Sequence, residues 1–579
     1  MNWNHAILKF SKSSTAENAL PSTHSDTHSE VSLSKSEQRK IGLELTDVGA
    51  YSFAAMVSIC LHELFDYHWD KKFNSHCISV LLEDLNMPKQ VVETMVALAE
   101  GHGGHSVHIY TDILLREPCI SGKPILLVEY LLYIAVKEGK YDARMRVLIQ
   151  YFSSLFNVPV EIIDFYEDSF VQYLGSDGKE MTDKFDTPSK HGSSTKKKKI
   201  KRCALIGLTA LGGGALIGLT GGLAAPLIVA GLETVVGAGS IALLSSTAGT
   251  TLIGSFFGAA GAGLTGFKMK KRVGEIEEFA FGILNGNPIL NKGLHVTIAI
   301  SGWLSDSEND NFSRPWCNLL NSREQYYLRY ESRYLLELGK AMDYFLNLAV
   351  TIFAQEVLKF TVLSGIIAAV GWPATLMTLT SVIDNPWGVC CRRAAEVGKQ
   401  LAEVLLSRKQ GQRPVTLIGY SMGARVVYYC LREMSNKDGC EGIVQEAILL
   451  GTPVTGSASD WDNLTRVVSG RIVNGYCKTD YLLKIVYRTT SMKNDVAGLA
   501  AIKTSSKRIN NIDLTKIVTG HGDYSSKMDE ILKLIKVRTL NQAPTTFEMR
   551  KSVSEHLNLA KKSKFWSSSL RISRSSEEL

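Results

Sequence analysis

The sequence predicts an α/β sheet domain in the carboxyl-terminal half of the chain, preceded by an all-helical region and a glycine-rich apolar hairpin. Three observations carry this. From Leu294 onward, short apolar runs alternate with helical stretches, the pattern of strands joined by helices. Residues 40–175 show helical periodicity instead. Between the two lie 65 residues, Cys203 to Phe267, with a single charged side chain, Glu233.

Length and composition bound the rest. At roughly 100–200 residues per domain, 579 residues allow several domains. A 45% hydrophobic and 21% charged composition excludes wholesale disorder and collagen-like structure. Lys+Arg is 64 and Asp+Glu 57, so the net charge is 64 − 57 = +7, and the run Lys196–Arg202 supplies most of that excess. No nucleic-acid partner is therefore expected. The ten cysteines form no C-x-x-C pair, which points to a reducing compartment with buried thiols. Residues 1–20 contain Glu17 and no long apolar core, so no secretory signal is read there. No cofactor and no metal site is expected. His102, His105 and His108 recur among glycines without a fourth ligand and read as a solvated helix end.

In chain order, residues 1–39 are Ser/Thr/His/Lys-rich and read as a disordered lead-in. The helical domain spans 40–175. Leu43, Leu45, Val48, Phe53, Met56 and Ile59 share one helical face, later helices fall near Val91–Ala99, Ile125–Val136 and Arg144–Phe156, and Asn157 with Pro159 marks a break. Residues 176–202 form a polar, then basic, linker. The block 203–267 follows, bordered beyond by Lys268, Lys270, Lys271 and Arg272. A membrane span needs ~20 apolar residues, so two long spans fit. Basic residues at both ends favour an even number of crossings with both ends cytoplasmic. Gly214, Gly218 and Gly222, and again Gly254 and Gly258, repeat at the spacing that lets membrane helices approach closely. Residues 541–579 read as a flexible tail.

The sheet domain is read over 285–540. Strands are expected at Leu294–Ile300, Gln325–Tyr330, Pro414–Gly419, Gln445–Pro453, from Arg471 and at Ile512–Val518, with an amphipathic helix at Asp384–Ser407. An apolar insertion near 345–383 contains Thr361–Val382, which carries no charge. It is read as a lid or acyl-binding wall, because a single span here would divide the sheet across a membrane.

The chemistry gathers after the strand Val415-Thr416-Leu417-Ile418. There Gly419-Tyr420-Ser421-Met422-Gly423 leads into an apolar helix, a G-x-S-x-G elbow in its strand-before, helix-after context. The turn is tight enough to admit only small residues two positions either side of the serine. The Met422 amide then faces the space where an oxyanion would form. Downstream, Asp480 sits at the carboxyl end of a strand, and His521 lies in the loop before the last helix. This is the Ser, acid, His order of α/β-hydrolases. The expected roles are nucleophile for Ser421, general base for His521 and orienting acid for Asp480. Met422 and the turn containing Gly302 and Trp303 are the oxyanion donors. Asp460, Asp462 and Asp523 are the rival acids, better explained as caps.

The chain resembles the family of transmembrane and coiled-coil domain-containing protein four. The resemblance rests on the helical region, the glycine-rich block, Ile300-Ser301-Gly302-Trp303-Leu304, Ile383-Asp384-Asn385-Pro386-Trp387, the Gly419–Gly423 elbow and Gly520-His521, and it covers most of 40–540. It implies an α/β-hydrolase fold and ester or lipid hydrolysis. Through a fungal relative it also implies phospholipase activity and a vesicle-coat adaptor as partner. The expectation is a membrane-anchored serine esterase or lipase on an intracellular membrane, with the helical and hydrolase domains facing the cytoplasm. The alternative is a non-catalytic, hydrolase-like scaffold in membrane trafficking.

Overall fold

The computed structural model describes residues 44–103, 106–182, 276–284, 293–305, 309–359, 380–490 and 495–540. All belong to one compact unit, Ile41–Leu579. Several regions named above lie outside the described residues: the lead-in 1–39, the basic run and the apolar block 203–267, residues 360–379 of the apolar insertion, and the tail 541–579.

Among the described residues, seven helices build the amino-terminal part: α1 (Asp47–Leu64), α2 (Lys71–Asp84), α3 (Lys89–Ala99), α4 (His108–Arg116), α5 (Ile125–Val136), α6 (Ala143–Leu155) and α7 (Val160–Thr182). α1 and α5 are buried around most of their circumference and form the centre of the bundle, as helices apolar on every side must. Thr46 caps α1 by accepting from the Gly49 amide at 3.1 Å, and its hydroxyl donates to Glu117 at 2.7 Å. Asn157, at φ 54°, turns the chain between α6 and α7. α7 continues through 176–182, where the composition suggested a linker.

The second layer is a seven-stranded sheet: β1 (Phe279–Ile283), β2 (Val296–Ile300), β3 (Glu324–Tyr330), β4 (Val415–Tyr420), β5 (Val444–Leu450), β6 (Ile472–Tyr476) and β7 (Ile509–Asp513). The strand order is β1-β3-β2-β4-β5-β6-β7. β1 runs antiparallel to β3 and every other pair is parallel. β2 and β4 are buried at every position, as central parallel strands covered on both faces should be. The connections include α8 (Ser332–Lys359), α9 (Thr380–Leu406), α10 (Met422–Ser435), α11 (Ala458–Leu464) and α12 (Tyr481–Thr490). The short helices α13 (Asp523–Ser526) and α14 (Met528–Leu534) follow β7. Because β2 and β4 to β7 all point one way, the loops after them converge on one edge of the sheet.

Three elements differ from the sequence reading. The last strand is Ile509–Asp513, not Ile512–Val518. Leu514 and Val518 are buried, but the Val518 amide donates to the Leu514 carbonyl at 2.8 Å, so these apolar residues four apart belong to a helical turn. β1 precedes residue 285, where the sheet domain was expected to begin. α9 starts at Thr380 and runs through Pro386 instead of starting beside it.

The helical core, which also takes in Leu294 just before β2, and the sheet core are separate apolar clusters, and a polar seam runs between them. Arg146, buried, donates to Glu167 at 2.8 Å, to Asp164 at 2.7 Å and to Gln445 at the start of β5 at 2.8 Å. The Ala143 amide donates to Gly442 O at 3.0 Å and the Tyr141 amide to Gln412 O at 2.8 Å. Arg508, just before β7, reaches Asp70 and the Leu64 carbonyl. These sheet-domain partners precede β4, β5 and β7 or open β5, so the bundle docks on the edge opposite the converging loops. Among the described residues, no helix is long and apolar enough to cross a membrane.

Candidate active site

β4 carries Ser421 to the converging edge. The serine sits at φ 52°, ψ −121°, a backbone conformation that residues bearing a Cβ rarely adopt. Its amide donates to the Leu450 carbonyl at 2.9 Å, which ties the turn to the end of β5. The flanking glycines are required by close approach: a Cβ on Gly419 would lie 2.6 Å from the Gly423 carbonyl carbon, and one on Gly423 would strike the Ile300 carbonyl. α10 begins at Met422, so the serine stands at a helix amino terminus.

Ser421 Oγ lies 2.7 Å from His521 Nε2. His521 Nδ1 lies 2.6 Å from Asp480 Oδ2. A carboxylate only accepts, so Nδ1 carries the proton and Nε2 is free to accept from the serine hydroxyl. Asp480 Oδ1 accepts from the Leu483 amide at 3.0 Å, so the same carboxylate caps α12 and is held by it. All three side chains are fully buried.

The rival acids are engaged elsewhere. Asp523 accepts from the Thr519 amide at 2.8 Å and the Thr519 hydroxyl at 2.6 Å, which folds the loop that presents His521. Burial pushes the Asp523 carboxyl up, but the two Thr519 bonds and Lys527 outweigh it and hold it below the usual range. Asp462 accepts from Thr504 at 2.5 Å, and Asp460 lies in the first turn of α11.

The turn after β2 faces the elbow. A Cβ on Gly302 would fall 2.5 Å from the Tyr420 carbonyl oxygen and 2.6 Å from Ser421 Cβ, so only glycine lets this turn approach the serine. Ser301 fixes it: its carbonyl accepts from Tyr330 at 2.9 Å, and its hydroxyl accepts from Trp316 at 3.0 Å and donates to Phe312 O at 2.9 Å. Burial pushes the Tyr420 phenol up, opposed by the nearby Ser301 side chain and Gly302 backbone.

Three rings surround His521: Trp303 at 5.5 Å between centroids, Trp387 of α9 at 5.7 Å and Tyr524 at 5.7 Å. The sequence reading gave Trp387 and Tyr524 no role. The available signal was their place inside Asn385-Pro386-Trp387 and Gly520-His521-Gly522-Asp523-Tyr524.

The profile of the family described as "Protein of unknown function (DUF726)" matches residues 198–538. The "Uncharacterized membrane protein F35D11.3" of Caenorhabditis elegans is 42% identical over 476 residues, 80% of this chain and 75% of that protein. The "Transmembrane and coiled-coil domain-containing protein STS1" of Oryza sativa subsp. japonica is 37% identical, over 73% of this chain and 65% of that protein. The "Probable lipase MIL1" of Saccharomyces cerevisiae is 32% identical, over 71% of this chain but only 38% of its own length. No solved structure matches. The chain belongs to the DUF726 family, the family of transmembrane and coiled-coil domain-containing protein four.

Proposed function

We propose that this chain is a membrane-anchored serine hydrolase that cleaves lipid esters. The observation that carries the reading is the hydrogen-bonded series Ser421–His521–Asp480, with its serine held at a strained turn on a helix amino terminus. The parallel sheet, with serine after β4, acid after β6 and histidine after β7, supports an α/β-hydrolase fold.

In this mechanism Ser421 Oγ attacks the acyl carbon while its proton passes to His521 Nε2. Asp480 stabilises the imidazolium, and the surrounding rings keep it from water. The imidazolium then returns the proton to the departing alkoxide. Water, deprotonated by His521, releases the acid from acyl-Ser421. The negative oxygen is held by the amides of Met422 and of the turn containing Gly302 and Trp303. Gly302 also supplies the close approach of this turn to the serine.

Lipid as the substrate class is supported by the aromatic lining, by the "Probable lipase" name of the yeast relative and by the membrane-protein names of the others. Ser421 is fully buried, so a substrate reaches it only after surrounding elements shift, and the Trp303 and Trp387 elements, whose rings pack on His521, are the ones proposed to move. An interface that draws these apolar side chains outward would open the site. The block 203–267 is the proposed anchor. The seam through Arg146, Ala143 and Arg508 supports an even number of crossings, since the parts before and after the block pack on each other and must share one side of the membrane. That side is the cytoplasm of an intracellular membrane, by the basic borders. A vesicle-coat partner rests on the resemblance alone.

The test is release of carboxylic acid from emulsified or vesicle-borne esters by the detergent-solubilised full chain. Activity lost in both Ser421→Ala and His521→Ala supports the reading. Activity unchanged in either, or absent from folded wild type across a panel of esters, replaces it with the scaffold alternative.

A further inference from the structure

Trp387 stands out beside the site. Its side chain is fully buried, its ring packs edge-on against His521, and its indole N–H finds no acceptor among the described residues. An indole nitrogen can only donate. Leaving such a donor buried and unmet costs a folded protein free energy, so a chain that retains one beside a reactive histidine has another use for it. The position is structurally expensive in a second way. α9 carries Pro386 in its interior, one residue before Trp387, where proline removes a backbone hydrogen bond. A phenylalanine would fill an apolar site here without the unmet donor.

We propose that the Trp387 Nε1–H is a substrate-binding donor: it takes an oxygen of the bound ester next to His521, adding a side-chain contact to the amides of Met422 and of the turn containing Gly302 and Trp303. This rests on the hydrolase reading. The acceptor is any oxygen of an acyl ester or of its phosphorus analogue that lies within reach of both Ser421 and the indole. With the substrate enclosed, the donor sits in a dry, aromatic setting, where its bond to the ester oxygen is worth more than in water. It also favours an oxygen-bearing acyl group over a bare hydrocarbon in a pocket otherwise lined by rings.

The experiment compares wild type, Trp387→Phe and a Trp387 replacement by benzothienylalanine, which keeps the two-ring shape and lacks the N–H. Two quantities are read on the detergent-solubilised full chain: the second-order rate of fluorophosphonate labelling and the thermal unfolding midpoint. Labelling should slow at least about tenfold in both variants. The benzothienyl form should unfold at the wild-type temperature or above, because it removes an unmet donor and leaves the packing alone. Labelling within about twofold of wild type in the benzothienyl form overturns the proposal, and so does a fall in its unfolding midpoint, which would mean that the N–H was already paired. If wild type itself is not labelled, the hydrolase reading fails and this inference with it. Labelled wild type with an equally labelled benzothienyl form removes only the inference.

Discussion

Gly302→Ala and Gly520→Ala together test how tightly the site is built. Both glycines neighbour the proposed site, and neither has a positive φ, so alanine meets no backbone strain at either position. At Gly302 the new Cβ would lie 2.5 Å from Tyr420 O and 2.6 Å from Ser421 Cβ, where ordinary contact starts at 3.4 Å. Relief therefore requires a displacement of about 0.8–0.9 Å (3.4 minus 2.6 and 3.4 minus 2.5). Neither side yields readily. The Ser421 amide is tied to Leu450, and Ser301 is held by Tyr330 and Trp316. The expected cost is about 1–3 kcal/mol of stability. A misplacement approaching 1 Å between the serine and its proposed oxyanion donors should lower ester turnover by about 10²-fold. At Gly520 a Cβ meets nothing within 4 Å, although His521 is the next residue. Gly520→Ala should leave turnover within about twofold and stability unchanged or raised by about 0.4–1 kcal/mol. Thermal unfolding and ester hydrolysis read both effects. Wild-type turnover in Gly302→Ala, or equal losses in the two variants, would refute the argument that close approach of the Gly302 turn sets the site.

Asp480→Asn should lower turnover by about 10³–10⁴-fold, because the amide favours the wrong histidine tautomer. It should cost little stability, since an amide oxygen can still cap α12; a loss under about tenfold would remove Asp480 from the orienting role. Glu129 lies fully buried in α5, and burial pushes its carboxyl up to about 8, with Tyr166 opposing. The folded state then keeps a proton that the unfolded state releases above about pH 4. Stability should fall as pH rises from about 4 to about 8, and Glu129→Gln should flatten that part of the profile; parallel profiles for the two proteins would contradict it.

How much was legible in the sequence follows from where each signal is local. The elbow could be read because tight turn, buried strand and apolar helix are consecutive in the chain, so Val415–Gly423 carries its own structural context. Asp480 and His521 could be placed because parallel topology puts every strand's carboxyl end on one edge, and chain order alone then brings loops 41 residues apart together. β7 was misplaced because its Asn510 and Asn511 are exposed on the sheet's edge, while the apolar residues after it pack as a turn. β1 was missed because it is a five-residue edge strand whose partner, β3, lies some 40 residues later. The seam between bundle and sheet left no trace in the periodicity. Arg146 looks like any helical arginine until Gln445, 299 residues away, is brought against it. The aromatic ring around His521 is equally non-local, with Trp303, Trp387 and Tyr524 drawn from three separate loops and helices.

The most direct test of the central claim is covalent. The full chain, solubilised in detergent with added lipid, is treated with a fluorophosphonate, and the adduct is mapped by mass spectrometry. The account predicts one adduct on Ser421 that disappears in His521→Ala while the fold is retained. No adduct on a folded wild-type chain, or labelling of Ser421 that survives loss of His521, would contradict it.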